Sequence, residues 1–321
     1  MKILIIPGLT LPEVSDEDLV RIRAAAGADA EVLVTGMKAA HDEVADADVV
    51  LGLVPESLFA RARQLRWVHA IASGVDMFLY PEFRDSEVVL TSEKGLVGPH
   101  LADHGFGLLL MLTRQLATAQ RHGADAWNHR PEMRRQEIEL TGLTLGCVGY
   151  GGTGKAMTQR GAAFGMDCRA IDPQPVEPTE EVHVVEGVDG LDSLLEESDV
   201  VAICCPLTPA TRDLFDASAF ARMKPTAYLV NVTRGEVMQE QALVDALSDG
   251  TIRGAALDVA PREPLPADSR LWQLDNVVMT PHTAGASQFR ASRNIDRFIS
   301  NLAALREDGP LEGVIDKQRG Y

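Results

Sequence analysis

Gly146-Cys147-Val148-Gly149-Tyr150-Gly151-Gly152-Thr153-Gly154-Lys155-Ala156 is the stretch whose reading decides the fold. It follows the apolar run 144–148 and opens a helical pattern. Gly149, Gly151 and Gly154 fit G-x-G-x-x-G. The first glycine allows a tight turn, the second lets backbone approach a pyrophosphate, and the third packs helix on strand. Phosphates then sit at a helix N-terminus, where N–H groups and the helix dipole favour anions. Asp172 ends the next apolar run, roughly 20 residues on, where a carboxylate takes both ribose hydroxyls of NAD and repels a 2′-phosphate. Pro173 and Gln174 follow it, with no Arg to favour NADP. A P-loop reading of the same stretch fails at Ala156, where a magnesium-binding hydroxyl is needed.

Outward from this turn, short apolar runs alternate with helical patterns. Strands are expected at 3–6, 31–34, 49–54, 67–71 and 88–90, then at 144–148, 167–171, 200–204, 227–231, 255–258 and 277–280. Most are continuous and rich in β-branched residues, as parallel strands buried on both faces are. Helices are expected at 16–26, 55–64 and 191–197, and the longest helical pattern, 101–121, interrupts the alternation. The polar stretch 123–139 reads as a loop with Trp127 wedged in a packing site. The fold class is α/β: two Rossmann-like or flavodoxin-like lobes, each with a mainly parallel sheet. The expected division is 1–98 with 287–321 as one domain and 99–286 as the dinucleotide-binding domain. A final helix at 288–306 has no strand after it and is expected to return to the first lobe.

The 321 residues suit two domains, and 45% apolar with 24% charged residues excludes disordered, collagen-like and coiled-coil chains. The net charge of −17 disfavours nucleic acid and anionic membrane surfaces as partners. No apolar run approaches the length of a bilayer span. The opening Met1-Lys2-Ile3-Leu4-Ile5-Ile6-Pro7-Gly8 is too short for a signal-peptide core and reads as a first strand. Cys147, Cys168, Cys204 and Cys205 show no paired C-x-x-C pattern, so they read as reduced thiols in a cytoplasmic protein without structural zinc.

Three polar side chains follow strands in the second lobe. Arg234 lies in Asn231-Val232-Thr233-Arg234-Gly235, Glu263 in Asp258-Val259-Ala260-Pro261-Arg262-Glu263, and His282 in Thr280-Pro281-His282-Thr283-Ala284-Gly285. Singly, they read as a surface arginine, a solvated acid and a loop histidine. Together, at the strand ends where open α/β sheets bind ligands, they make a reaction centre. Arg grips a carboxylate or carbonyl oxygen with its fork of donors, His moves a proton, and Glu favours the charged ring and fixes it.

These motifs in this order, with Ser73-Gly74-Val75-Asp76 and Cys205-Pro206-Leu207-Thr208-Pro209-Ala210-Thr211, resemble the D-isomer-specific 2-hydroxyacid dehydrogenase family over about residues 67–287. The resemblance implies NAD-dependent reduction of a small 2-oxo acid to the D-2-hydroxy acid, or the reverse oxidation, in the cleft between two lobes. It implies Arg234, Glu263 and His282 as the catalytic trio, with Ser73 and Gly74 holding the substrate carboxylate beside Arg234. It implies that Gly149, Gly151, Gly152, Thr153, Gly154 and Asp172 hold the cofactor, with Cys205, Pro206 and Thr211 on the adenosine side. Asp258 and the Thr233 carbonyl would face the nicotinamide amide, and Gly285 completes the set. It also implies a homodimer formed through the NAD-binding domain. The sequence departs from the family at Gly152 (often Arg), Cys204 (often His), Met238-Gln239 (usually Val-Asp) and Ala260 (often Phe).

His100 and His104 share a helix face, but the zinc-protease Glu is replaced by Leu101 and no third ligand is evident, so an interface or capping role is the better reading and no metal is expected. The acids Glu180 and Glu181 read as part of a solvated loop. The rival function is a non-catalytic NAD(H)-sensing binding module, corepressor-like, on the same scaffold. The intact trio and the lack of basic patches count against it. Formate dehydrogenase, a relative with Gln in place of the acid, is disfavoured by Glu263.

Overall fold

The computed structural model describes residues 1–321, which divide into two compact units. One comprises Met1–Val97 with Ala286–Tyr321 and the other Gly98–Gly285. The first is built on β1 (Lys2–Ile5), β2 (Glu31–Val34), β3 (Val49–Leu51), β4 (Trp67–His69) and β5 (Val89–Thr91). All pair in parallel in the order β2-β1-β3-β4-β5, the flavodoxin-like doubly wound order. The helix Asp16–Ala26 starts where the Ser15 side chain accepts the Asp18 amide, an N-cap reinforced by acids in the first turn. The helix Arg290–Arg306 packs on that helix and buries Ile295, Phe298 and Leu302, which lie on one face at helical spacing. Phe298 stacks on Trp67 with centroids 5.1 Å apart.

The second unit carries β6 (Thr144–Val148), β7 (Asp167–Ile171), β8 (Val185–Glu186), β9 (Val200–Ile203), β10 (Tyr228–Asn231), β11 (Gly254–Leu257) and β12 (Val277–Met279). Their order is β12-β11-β10-β9-β6-β7-β8, all parallel. The order reverses between β6 and β9, which defines the switch point where such sheets bind ligands beyond the strand C-termini. β9, β10 and β11 are buried along their whole length, as continuous apolar runs require. The helix Gly98–Thr113 packs across β10, β11 and β12.

Several elements differ from the expected ones. The pattern at 101–121 is two helices, Gly98–Thr113 and Leu116–His122, broken at Gln115, whose φ is 54°. The stretch expected to be a loop contains the helix Ala126–Gln136, and Trp127 is 78% exposed rather than wedged in a packing site. That helix buries no residue, so it has no apolar stripe to betray it. The pattern at 55–64 shrinks to Glu56–Phe59, and the two-residue strand β8 was not expected.

His69, fully buried at the end of β4, meets the Thr91 hydroxyl at 2.6 Å through Nδ1. Burial, with the Arg297 charge second, pushes its pKa from 6.5 down to about 3. The unfolded chain therefore binds a proton that the folded one refuses, and stability falls as pH drops from 6.5 towards 3. A His69→Asn variant should show a flatter melting temperature across that interval than the parent, and parallel curves would contradict the assignment. Truncating Phe298 to Ala should cost about 3–5 kcal/mol in denaturant unfolding, from lost burial and the cavity left.

Candidate active site

The glycine turn leaves β6 at the switch point. Gly149 has φ 99°, a conformation that L side chains rarely adopt, and a Cβ there would lie 2.7 Å from the Cys205 amide nitrogen. The turn after β6 thus packs directly on the Cys204–Cys205 backbone after β9. The helix Gly152–Ala163 begins next, with Gly151 as N-cap and no side-chain cap bond. Gly152 and Thr153 form its first turn, and an anion fits the amides there. Asp172 follows β7. Its carboxylate accepts the Tyr150 amide at 2.8 Å and the Gln174 amide at 2.9 Å, which ties the acid to the glycine turn. Cys205 is buried, and burial pushes its thiol up to about 12, while Cys168 rises to about 11 for the same leading reason. Such thiols hold their protons more tightly than an exposed cysteine does. Pro206 is exposed, and its carbonyl accepts the Thr211 hydroxyl at 2.6 Å, closing the loop after β9.

Arg234 follows β10. Buried Asn231 closes its loop by accepting the Thr233 amide at 3.0 Å and donating to the Arg234 carbonyl at 2.9 Å. Arg234 Nη1 donates to the Thr233 carbonyl at 2.9 Å, so that carbonyl is already engaged. At Gly235 a Cβ would lie 1.9 Å from the Ala260 carbonyl carbon. Only a glycine lets the loop after β10 touch the loop after β11, which carries Glu263.

Glu263 and His282 meet. His282 Nδ1 lies 2.7 Å from Glu263 Oε2, and Glu263 Oε1 accepts the Ala260 amide at 3.0 Å. A carboxylate only accepts, so Nδ1 carries the proton and Nε2 is left to exchange one. Both side chains are well exposed, at 44% and 39%, so the pair orients the ring more than it stabilises the fold. His282 adopts φ 54°, held by its amide donating to the Asp258 carbonyl at 2.7 Å.

Asp258 follows β11 directly. Its side chain has no exposed surface. Oδ1 accepts the Thr280 hydroxyl at 2.6 Å and the Thr283 amide at 2.8 Å, and Oδ2 accepts the Ala284 amide at 2.8 Å. These bonds wrap the His282 loop around a buried carboxylate. Sequence reasoning gave no role to Asn231 or Thr280. Their signals are a polar residue ending an apolar strand and a hydroxyl two positions before His282. Gly285 ends this unit, and Ser73 and Gly74 lie half-buried in the loop after β4 of the other unit. Nearby thiol Cys147 is raised well above its usual range, led by its bond to Cys204, and is fully buried.

A parallel sheet in dinucleotide-binding order, with its glycine turn and following acid, defines a dinucleotide-binding α/β protein. The chain belongs to the D-isomer specific 2-hydroxyacid dehydrogenase family, whose NAD binding domain it matches over residues 106–284. It is 36% identical to a glyoxylate reductase of Korarchaeum cryptofilum, over 83% of this chain and 81% of that one. It is 34% identical to glyoxylate/hydroxypyruvate reductase B of Escherichia fergusonii, over 85% and 84%. A solved glyoxylate/hydroxypyruvate reductase from Sinorhizobium meliloti, in complex with NADP and sulfate, superposes with a TM-score of 0.79 at 26% identity, covering 100% of both chains. The chain is therefore an NAD(P)-dependent oxidoreductase of the 2-hydroxyacid type. No helix is long and apolar enough to cross a membrane.

Gly235→Ala should drive the Arg234 and Glu263 loops apart. Turnover per folded molecule should fall at least about tenfold, because small misplacement of reacting groups is costly. Parental turnover and melting temperature in that variant would show that the close approach does not matter.

Proposed function

We propose that the protein reduces a small 2-oxo acid of the glyoxylate or hydroxypyruvate type to its D-2-hydroxy acid with NADH, and runs the reverse oxidation when the acid is supplied. The observation that carries this reading is the His282–Glu263 contact at 2.7 Å, on a loop after β12 and beside the Arg234 loop. A bound nicotinamide supplies the hydride. His282 Nε2 donates the proton to the substrate oxygen as the carbonyl electron pair moves onto it. Glu263 keeps Nδ1 protonated and the ring aimed. Arg234 grips the carboxylate and the carbonyl oxygen, and its fork fits two oxygens in one plane.

The cofactor assignment rests on Asp172, since a carboxylate beside the adenosine ribose accepts hydroxyl protons and repels a 2′-phosphate. Gly149, Gly151, Gly152, Thr153 and Gly154 cradle the pyrophosphate. Pro206, Thr211 and Cys205 bound the adenosine, and Gly285 and the Thr233 segment lie towards the nicotinamide. A homodimer through the NAD-binding domain is part of the proposal, supported by exposed Trp127 and Leu116 on its outer helices. So is a cytoplasmic location, supported by four free cysteines.

Absorbance at the NADH band with a panel of glyoxylate, hydroxypyruvate, pyruvate and phenylpyruvate tests this directly. Turnover with glyoxylate or hydroxypyruvate, and NADH preferred over NADPH by at least about tenfold, is expected. Tight NADH binding with no turnover of any acid would overturn it in favour of a sensing module. His282→Ala should lose about 10²–10⁴-fold in kcat while NADH affinity, read by fluorescence, stays near the parent's.

A further inference from the structure

We propose that His104 is a positioning residue for the His282 loop, acting through the Thr280 hydroxyl on the buried Asp258 carboxylate. It rests on the reading of His282 as proton donor. His104 Nε2 lies 2.7 Å from Thr280 Oγ1, and Thr280 Oγ1 lies 2.6 Å from Asp258 Oδ1. A hydroxyl has one proton, and Asp258 can only accept, so Thr280 donates to Asp258. Thr280 is then the acceptor towards His104, and His104 Nε2 must carry a proton. The same nitrogen is 3.4 Å from Asp258 Oδ1, so its positive end faces the carboxylate as well. The chain of donors runs His104 to Thr280 to Asp258, and the same carboxylate accepts the Thr283 and Ala284 amides just after His282.

The helix Gly98–Thr113 brings His104 to this point because its neighbour Gly105 lies against β10, where a Cβ would meet Val230 Cγ1 at 3.2 Å. His104 keeps 25% of its side chain exposed, whereas Asp258 keeps none. The imidazole therefore fixes Thr280, and Thr280 is the step between β12 and His282. Without that donor the hydroxyl is free to rotate off Asp258, Oδ1 loses a donor, and the amides of residues 283 and 284 open more often. The ring of His282 then samples more orientations away from Glu263. His104 touches neither substrate nor cofactor in this account; it acts on the loop.

The test uses four variants of the full chain: His104→Ala, His104→Gln, Thr280→Val and Thr280→Ser. Glutamine keeps an N–H donor at nearly the reach of Nε2, and serine keeps the hydroxyl. Hydrogen exchange of the peptide covering residues 280–286, read by mass spectrometry without cofactor, is the activity-independent arm. His104→Ala and Thr280→Val should speed exchange there by about tenfold, the loss of one hydrogen bond, while Gln and Ser stay near the parent. The kinetic arm expects kcat about tenfold lower in the same two variants, with KM for the 2-oxo acid and NADH affinity within about a factor of two, and rescue by Gln and Ser. Unchanged exchange in His104→Ala, or equal exchange in the Ala and Gln variants, overturns the proposal. A kcat loss that Gln does not rescue also overturns it, since that is bulk rather than the donor. If the parent turns over no acid, the proposed reaction has failed, and the exchange arm alone still decides whether His104 holds the loop.

Discussion

Asp258 places a carboxylate with no exposed surface at the end of β11, and the loop that carries His282 is arranged around it. Taking a carboxylate out of water costs several kcal/mol, and charge-assisted hydrogen bonds of about 1.5–3 kcal/mol each offset that cost. Here the donors are the Thr280 hydroxyl and the amides of Thr283 and Ala284, all from the segment that carries His282. The backbone carbonyl of the same residue holds the His282 amide. The loop therefore cannot relax without exposing or orphaning a buried charge. That requirement is what lets a histidine sit at φ 54° with its ring on Glu263.

The rest of the edge is built from backbone pressed on backbone. Gly149 lies against Cys205 and Gly235 against Ala260, so neighbouring strand-end loops touch without side chains between them. Ala260, whose backbone Gly235 meets, is only 4% exposed. Parallel strands aim their C-terminal ends one way, so the loops after β6, β9, β10, β11 and β12 all emerge on one edge. The buried strands are stable scaffolding, and the polar groups proposed to do the chemistry are carried just beyond them.

Much of this was legible in the residues because it is local. The strands at Thr144–Val148, Asp167–Ile171 and Glu31–Val34 and the helix Asp16–Ala26 agree with their expected bounds, since continuous apolar runs or caps mark both ends. Arg234, Glu263 and His282 stood out as candidates because each lies in a short motif after a strand, and the Glu263 and His282 side chains do meet. What was hidden depends on distant contacts or on missing apolar signal. The helix Ala126–Gln136 is polar on every side and contains Pro131, so periodicity cannot reveal it. β8 spans two residues at a sheet edge. The Thr280 contact with His104 joins positions 176 residues apart, and Asp258 shows its buried state only once the loop after β12 is folded onto it.

The most direct measurement is a crystal structure of the protein with NADH and oxamate, an isostere of a 2-oxo acid that is not reduced. The oxamate carbonyl oxygen is expected within about 3 Å of His282 Nε2, its carboxylate in the Arg234 fork, and the His282–Glu263 contact retained. An oxamate seated with that oxygen away from Nε2, or His282 turned off Glu263 in the complex, would contradict it.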